Sequence, residues 1–262
     1  GNTSQAGGSM ARWTAAAVFP TLIPMMIVHI TRHGQVLPAG NESWSHADYP
    51  SGDGPLSELG QQQATWLGQH LKTLSFNGSI FSSPYRRTVE TACAIAAVVD
   101  TVVQPAAPLR EIVKRVEQME RFVGLSADGL RNLHTRVEPA KDFEDVWWTP
   151  QAEDDDGVEA RVAPFVDTLI DQDSTDVDRH VLLVGHGAST GGVIRHLLRR
   201  SAPELIGPPD PGWNCALIRF CCHGVDGPSE LIRLMETDHL PEDAVTSNAQ
   251  SRADVLAARR SD

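Results

Sequence analysis

Three patterns in the sequence predict an α/β fold, a three-layer α/β/α sandwich around a mainly parallel sheet. Short β-branched runs alternate with longer segments of helical period. Val181–Val184 is apolar throughout and Met26–Ile30 nearly so, as strands covered on both faces are. Ala216–Cys222 and Glu230–Glu236 read as a closing hairpin that adds an antiparallel edge.

The first strand is Met26–Ile30, followed by a long polar loop, Val36–Gly54. Leu56-Ser57-Glu58-Leu59-Gly60 opens a helix running to about Leu74, with Ser57 as its N-cap. A short strand, Ser79–Ser82, leads through Ser83 and Pro84 into a helix over Arg86–Val99. That helix carries Ala92, Ile95, Ala96 and Val99 on one face, and Pro84 suits its first turn. A short strand follows near Val102-Val103. Residues 111–148 form an insertion of mixed polarity. Asp154–Ile170 is a helix that buries Val158, Val162, Phe165, Val166 and Leu169, and Glu153–Asp156 makes an acidic start favoured by the helix dipole. Strand Val181–Val184 runs through Gly185-His186-Gly187 into a helix over Thr190–Arg199. Residues 243–262 read as a loose tail. The domain reading is a single unit over 26–242 with a cap-like insertion at about 112–150. Residues 1–25 would be a tag remnant and extension.

Chemistry gathers where strands end. Thr31-Arg32-His33-Gly34-Gln35 directly follows the first strand, and ligands of open α/β sheets collect at such carboxyl ends. There an imidazole is a candidate nucleophile and a guanidinium a candidate anion clamp. The glycine lets backbone approach a bound group. His186, between two glycines after a second strand, repeats the arrangement. Arg86 and Arg87, at a helix start with unpaired backbone N–H groups, suit a phosphate. The competing reading for each is a turn histidine or a solvated arginine.

Arg32-His33-Gly34, Ser83-Pro84-x-x-Arg87-Thr88 with Glu90-Thr91-Ala92, and Gly185-His186-Gly187 together resemble the histidine phosphatase, or phosphoglycerate mutase-like, superfamily. Leu56-Ser57-x-x-Gly60 is a further shared feature, and the resemblance spans about Met26 to Leu240. It implies that His33 is the histidine that becomes phosphorylated. Arg32 and Arg87 would line the phosphate pocket, and His186 and Gly187 would contact the transferred group. Glu111 would be the proton donor. Gln35 stands where the family often has glutamate or glutamine. Spacing from Pro84 favours Arg87 over Arg86. Gly187 replaces the aspartate that the acid phosphatases place after the second histidine, so the mutase-like branch fits. Val36 replaces a serine or threonine, and Asn41 lies farther from His33 than the family's asparagine. Glu117, Glu120 and Asp142 are alternatives to Glu111.

The chemistry also follows from the residue types. Phosphoryl transfer is mostly positioning and charge stabilisation. Two guanidinium forks match the equatorial oxygens. An unprotonated His33 attacks phosphorus, a cationic His186 would stabilise the transition state, and a carboxylic acid protonates the leaving alkoxide. Neither metal nor cofactor is required. The activity expected is phosphomonoester hydrolysis on a small phosphorylated metabolite. The alternatives are a phosphoglycerate-type mutase and a non-catalytic phospho-ligand binding module. The tryptophan-asparagine pair and the basic insertion of the mutases are not evident.

At 262 residues the chain can bury one sizeable core. A formal net charge of −12 argues against nucleic acid as a partner. Trp13–Ile23 is too short to span a bilayer, so no membrane partner is expected. The partners left are the small phosphorylated substrate and a second copy in a homodimer. Four cysteines offer no disulfide framework, which fits a reducing, cytoplasmic compartment. Cys221 and Cys222 point to opposite strand faces and, even beside His223, make a poor zinc site. Trp44, His46, Tyr49, His134, Arg136 and one of Trp147 and Trp148 are candidates for the pocket rim. The other reading of the tryptophan pair is an anchor for the insertion.

Overall fold

The computed structural model describes residues 25–37, 52–148, 151–172, 178–201, 212–248 and 250–259. The N-terminal extension, Asn41, Trp44, His46 and Tyr49 lie outside these residues.

The chain builds β1 (Met25–Arg32), α1 (Glu58–Thr73), β2 (Ser79–Ser82), α2 (Arg86–Val99), β3 (Val103–Pro105), α3 (Ala127–Leu133), α4 (Asp155–Asp171), β4 (Asp178–Gly185) and α5 (Gly187–Arg199). β5 (Leu217–Cys222), β6 (Ser229–Glu236), β7 (Thr246–Ser247), β8 (Gln250–Ser251) and α6 (Arg252–Arg259) follow. Six strands form one sheet in the order β3-β2-β4-β1-β5-β6. β1 to β4 are parallel, while β5 and β6 run antiparallel, as the closing hairpin predicts.

The strand period of two explains the layers. Val181 and Leu183 of β4 join one core with Val158, Val162 and Val166 of α4 and Val193, Ile194 and Leu197 of α5. Leu182 and Val184, on the opposite face, join a second core with Leu67 and Leu71 of α1 and Val89, Ala92 and Ile95 of α2. Each such fully buried Leu or Val contributes roughly 1.5–3 kcal/mol. β4 is therefore apolar without alternation because both faces are covered.

The helix starts repeat one solution. Ser57, Ser126 and Asp154 each accept a hydrogen bond from a glycine N–H three residues on, at 3.0, 3.2 and 2.9 Å. The acidic run thus caps α4, and its Glu153 also pairs with Arg161 at 2.7 Å. α5 begins three residues earlier than its apolar period suggests, because His186 itself occupies the N-cap.

The C-terminal segment departs from the sequence expectation of a loose tail. Residues 242–244 form a 3₁₀ turn, β7 and β8 pair as a small hairpin, and α6 follows. Leu240 and Val245 are buried against Trp213. Val255 of α6, partly buried, packs on the same cluster, and these few apolar side chains are too scattered to form a period.

Candidate active site

β1, β2 and β4 end side by side, so the segments that leave them converge. Gly34 packs backbone to backbone on Gly60: a Cβ on Gly34 would lie 2.5 Å from Gly60 O, and one on Gly60 2.1 Å from Gln35 O. The glycine after His33 therefore serves a close approach between two chain segments, where the sequence suggested approach to a ligand. Ser57 joins the same contact, donating to Gln35 O at 3.2 Å and Gln35 Oε1 at 2.9 Å. Gln35 is thus bound to the start of α1.

His33 is buried, and its Nδ1 lies 2.7 Å from Gly34 O. A carbonyl only accepts, so Nδ1 carries the proton and Nε2 presents its lone pair. Arg87 Nε donates to that Nε2 at 3.3 Å. His186 is fully buried, with its ring 5.3 Å from that of His33 at an interplanar angle of 62°. Ser83 Oγ accepts from Tyr85 N at 3.4 Å and lies 2.8 Å from His186 Nε2. A hydroxyl has two lone pairs as well as its proton, so Ser83 can donate to Nε2 or accept from it, and either tautomer of a neutral His186 fits this contact. His186 Nδ1 is 3.3 Å from Glu111 Oε2, but out of line for a hydrogen bond.

Glu111 Oε2 also accepts from Arg87 NH2 at 3.3 Å, and its Oε1 accepts from Ile112 N at 3.0 Å. One carboxylate so faces both an arginine and the second histidine. Glu117, Glu120 and Asp142 are exposed. Arg161 holds the backbone ahead of Glu111, donating to Pro108 O and, at 2.9 Å, to Arg110 O.

The two arginines of α2 separate as expected. Arg87 is buried toward the histidines and donates to Gly52 O at 2.5 Å, whereas Arg86 pairs with Glu90 at 2.6 Å. Arg32 leaves the end of β1 and donates through NH1 to Gly212 O at 2.7 Å. Gly187, the first residue of α5, is exposed, and an added Cβ would meet nothing within 4 Å among the described residues.

Burial, then the charges of Arg87 and Arg32, holds His33 well below its ordinary pKa. Burial and Arg87 do the same to His186. This direction favours a neutral His186, which differs from the cationic form expected. Burial is the larger cause, and the neighbouring charge of Arg87 adds to it.

Sequence reasoning missed several supporting residues. Asp53 is buried, accepts from Arg86 N at 2.5 Å and is pushed up to about 6 by burial. Asn214, fully buried, donates to His33 O at 2.8 Å. Gln63 accepts from Gln35 N at 2.8 Å. These contacts span from 28 to 181 residues of sequence, beyond any local pattern. Ser83 lies inside a recognised motif, which is the one signal that pointed to it.

The rim candidates divide. Trp147 is buried, donates to Leu125 O at 2.7 Å and meets the Tyr85 ring at 4.8 Å, so it anchors the insertion. Arg136 pairs with Asp100, at the other end of α2 from Arg87, and His134 accepts from Arg136 N. Among the described residues, no group of three or more His, Cys, Asp or Glu is placed to hold a metal ion. No helix among them is long and apolar enough to cross a membrane.

Two buried imidazoles, two guanidiniums and a carboxylate thus gather at the carboxyl ends of the parallel strands. The sequence profile of the histidine phosphatase superfamily (branch 1) matches residues 28–224, and the chain belongs to that superfamily. Its fold is similar to mycobacterial glucosyl-3-phosphoglycerate phosphatase, with 23% identity, a TM-score of 0.54, and 81% of this chain and 100% of that one covered. It is also similar to the ecdysone phosphate phosphatase of Bombyx mori, solved with tungstate, at 17% identity and a TM-score of 0.62, covering 88% and 99%. A phosphoserine phosphatase from Entamoeba histolytica is 20% identical with a TM-score of 0.51, covering 82% and 100%. A search of the curated proteins found no match.

Proposed function

We propose that the chain hydrolyses a small phosphomonoester through a phosphohistidine on His33. The observation that carries this reading is the position of His33 Nε2, with its lone pair 3.3 Å from Arg87 Nε and its ring 5.3 Å from that of His186. A phosphoryl group seated there replaces His33 as the acceptor for Arg87.

The steps follow from the tautomer of His33. Gly34 O holds the proton of His33 on Nδ1, so Nε2 attacks phosphorus without first losing a proton. The new P–N bond forms as the ester P–O bond breaks, and protonated Glu111 gives its proton to the departing oxygen. Arg32, Arg87 and His186 face the equatorial oxygens as charge redistributes. Water then attacks the phosphohistidine, Glu111 takes a proton from it, and the P–N bond breaks to release phosphate and neutral His33. The scheme calls on no metal.

The test is a panel of phosphomonoesters scored for phosphate release, with and without chelator, and for isomerisation of 3-phosphoglycerate. The expected outcome is chelator-resistant phosphate release. Efficient isomerisation with little release would instead support the mutase, and chelator inhibition would overturn the metal-free scheme.

A further inference from the structure

The region matched by the superfamily profile ends at residue 224, yet the Arg32 guanidinium is held by residues beyond it. NH1 donates to Ser247 Oγ at 3.2 Å as well as to Gly212 O at 2.7 Å, and NH2 donates to Asn248 Oδ1. Arg32 Nε is buried and has no partner among the described residues. Both nitrogens at the tip of the fork are thus bound, through three of their four N–H groups, and the one facing the chain is not.

The same segment also reaches His33. Thr246 Oγ1 donates to Asn214 Oδ1 at 3.0 Å and accepts from Gln63 Nε2 at 3.0 Å. Asn214 in turn donates to His33 O at 2.8 Å, while Gln63 accepts from Gln35 N at 2.8 Å. Gln63 Nε2 also donates to Ala244 O at 2.7 Å, and Asn214 N to Thr246 O at 2.8 Å. Thr246, Asn214 and Gln63 are all buried, so their hydrogen bonds are costly to leave unmade. Asn248 sits at φ 55°, a left-handed conformation that asparagine tolerates well. That turn aims its side chain back at Arg32.

We propose that residues 244–248 are a positioning element of the phosphate pocket. Ser247 and Asn248 fix the Arg32 guanidinium by its terminal nitrogens and leave Nε for a phosphoryl oxygen. Thr246 fixes the loop that carries His33. The ligand class is a phosphoryl dianion, and the inference rests on the functional reading above. Pre-orienting a long side chain removes the ordering cost from anion binding.

The test compares the full chain with a Ser247→Ala, Asn248→Ala double variant, each in an otherwise unchanged and an Arg32→Ala background. Binding of tungstate by calorimetry and KM and kcat for an aryl phosphate are measured. In the unchanged background the double variant should weaken tungstate binding and raise KM by roughly tenfold, with a smaller change in kcat. In the Arg32→Ala background the added loss should be under about twofold, because the segment acts through that arginine. Asn248→Asp, which keeps an oxygen acceptor, should bind nearly as the parent does. Equal losses in both backgrounds, or no loss in either, would overturn the inference. Asn248 is exposed, so Asn248→Ala alone carries the test if the double variant does not fold. Tungstate binding reads the clamp without turnover, whereas failure of the functional reading shows as phosphate release that persists in His33→Ala.

Discussion

β1 and β4 each carry one histidine and are each followed directly by another, and the four form two pairs of nearly equal spacing. His33 and His186, at the strand ends, have ring centroids 5.3 Å apart, while His29 and His180, within the sheet, are 5.2 Å apart. The inner pair shares a contact of 3.3 Å between His29 Nε2 and His180 Nδ1, and Phe76 packs edge-on against both rings. The outer pair meets Arg87, Glu111 and Ser83. Proximity of imidazoles therefore does not make a site. Within the sheet a side chain meets its strand neighbours and the layer above. At the carboxyl end it also meets helix starts and loops, which bring arginines and a carboxylate.

The largest expected effect breaks this comparison at its root. His33→Ala should reduce kcat/KM for phosphate release by at least about a thousandfold, through loss of the nucleophile. His29→Leu, two turns of the pleat away, should change it by less than about threefold. Comparable losses in both would show that the inner pair takes part. A second contrast concerns the acid. Glu111→Gln should slow alkyl phosphates by roughly a hundredfold and aryl phosphates much less, since only the poor leaving group needs a proton. Equal slowing of both series would remove Glu111 from that role.

The smallest effect is read from stability. Burial, with His180 and Arg219 nearby, holds His29 down to about 3. Its folded pKa lies below its unfolded one, so the unfolded chain binds more protons between about 6.5 and 3. Stability from this group is complete above that window and is lost as pH falls through it, at about 1.4 kcal/mol per pH unit. His33 and His186 share the direction, but a bound anion offsets theirs. Urea unfolding at pH 7, 6 and 5 should show His29→Leu with the shallower pH dependence, and saturating tungstate should not erase that difference. Parallel curves would contradict the assignment.

The sequence makes one half of this picture legible. β4, α2 and α4 follow from their apolar periods because each buries a single stripe or both faces completely. Arg32, His33, Arg87 and His186 follow from motifs that sit where strands stop, and Glu111 from its place in a resemblance. The rest has no local signature. Asn214, Gln63 and Thr246 are ordinary polar residues until the fold closes a network around His33. The hairpin of β7 and β8 is held by a handful of buried atoms. Gly34 was legible as a glycine that must be small, but its crowding partner, Gly60, is set by topology.

The central claim is a covalent bond at one atom, and the direct measurement is a rapid quench of the enzyme with phosphate-labelled substrate followed by mapping of the label. The account predicts a base-stable, acid-labile phosphoryl group on Nε2 of His33 that forms and decays within a turnover and is absent in His33→Ala. Turnover with no covalent label, or a label on His186, would contradict it.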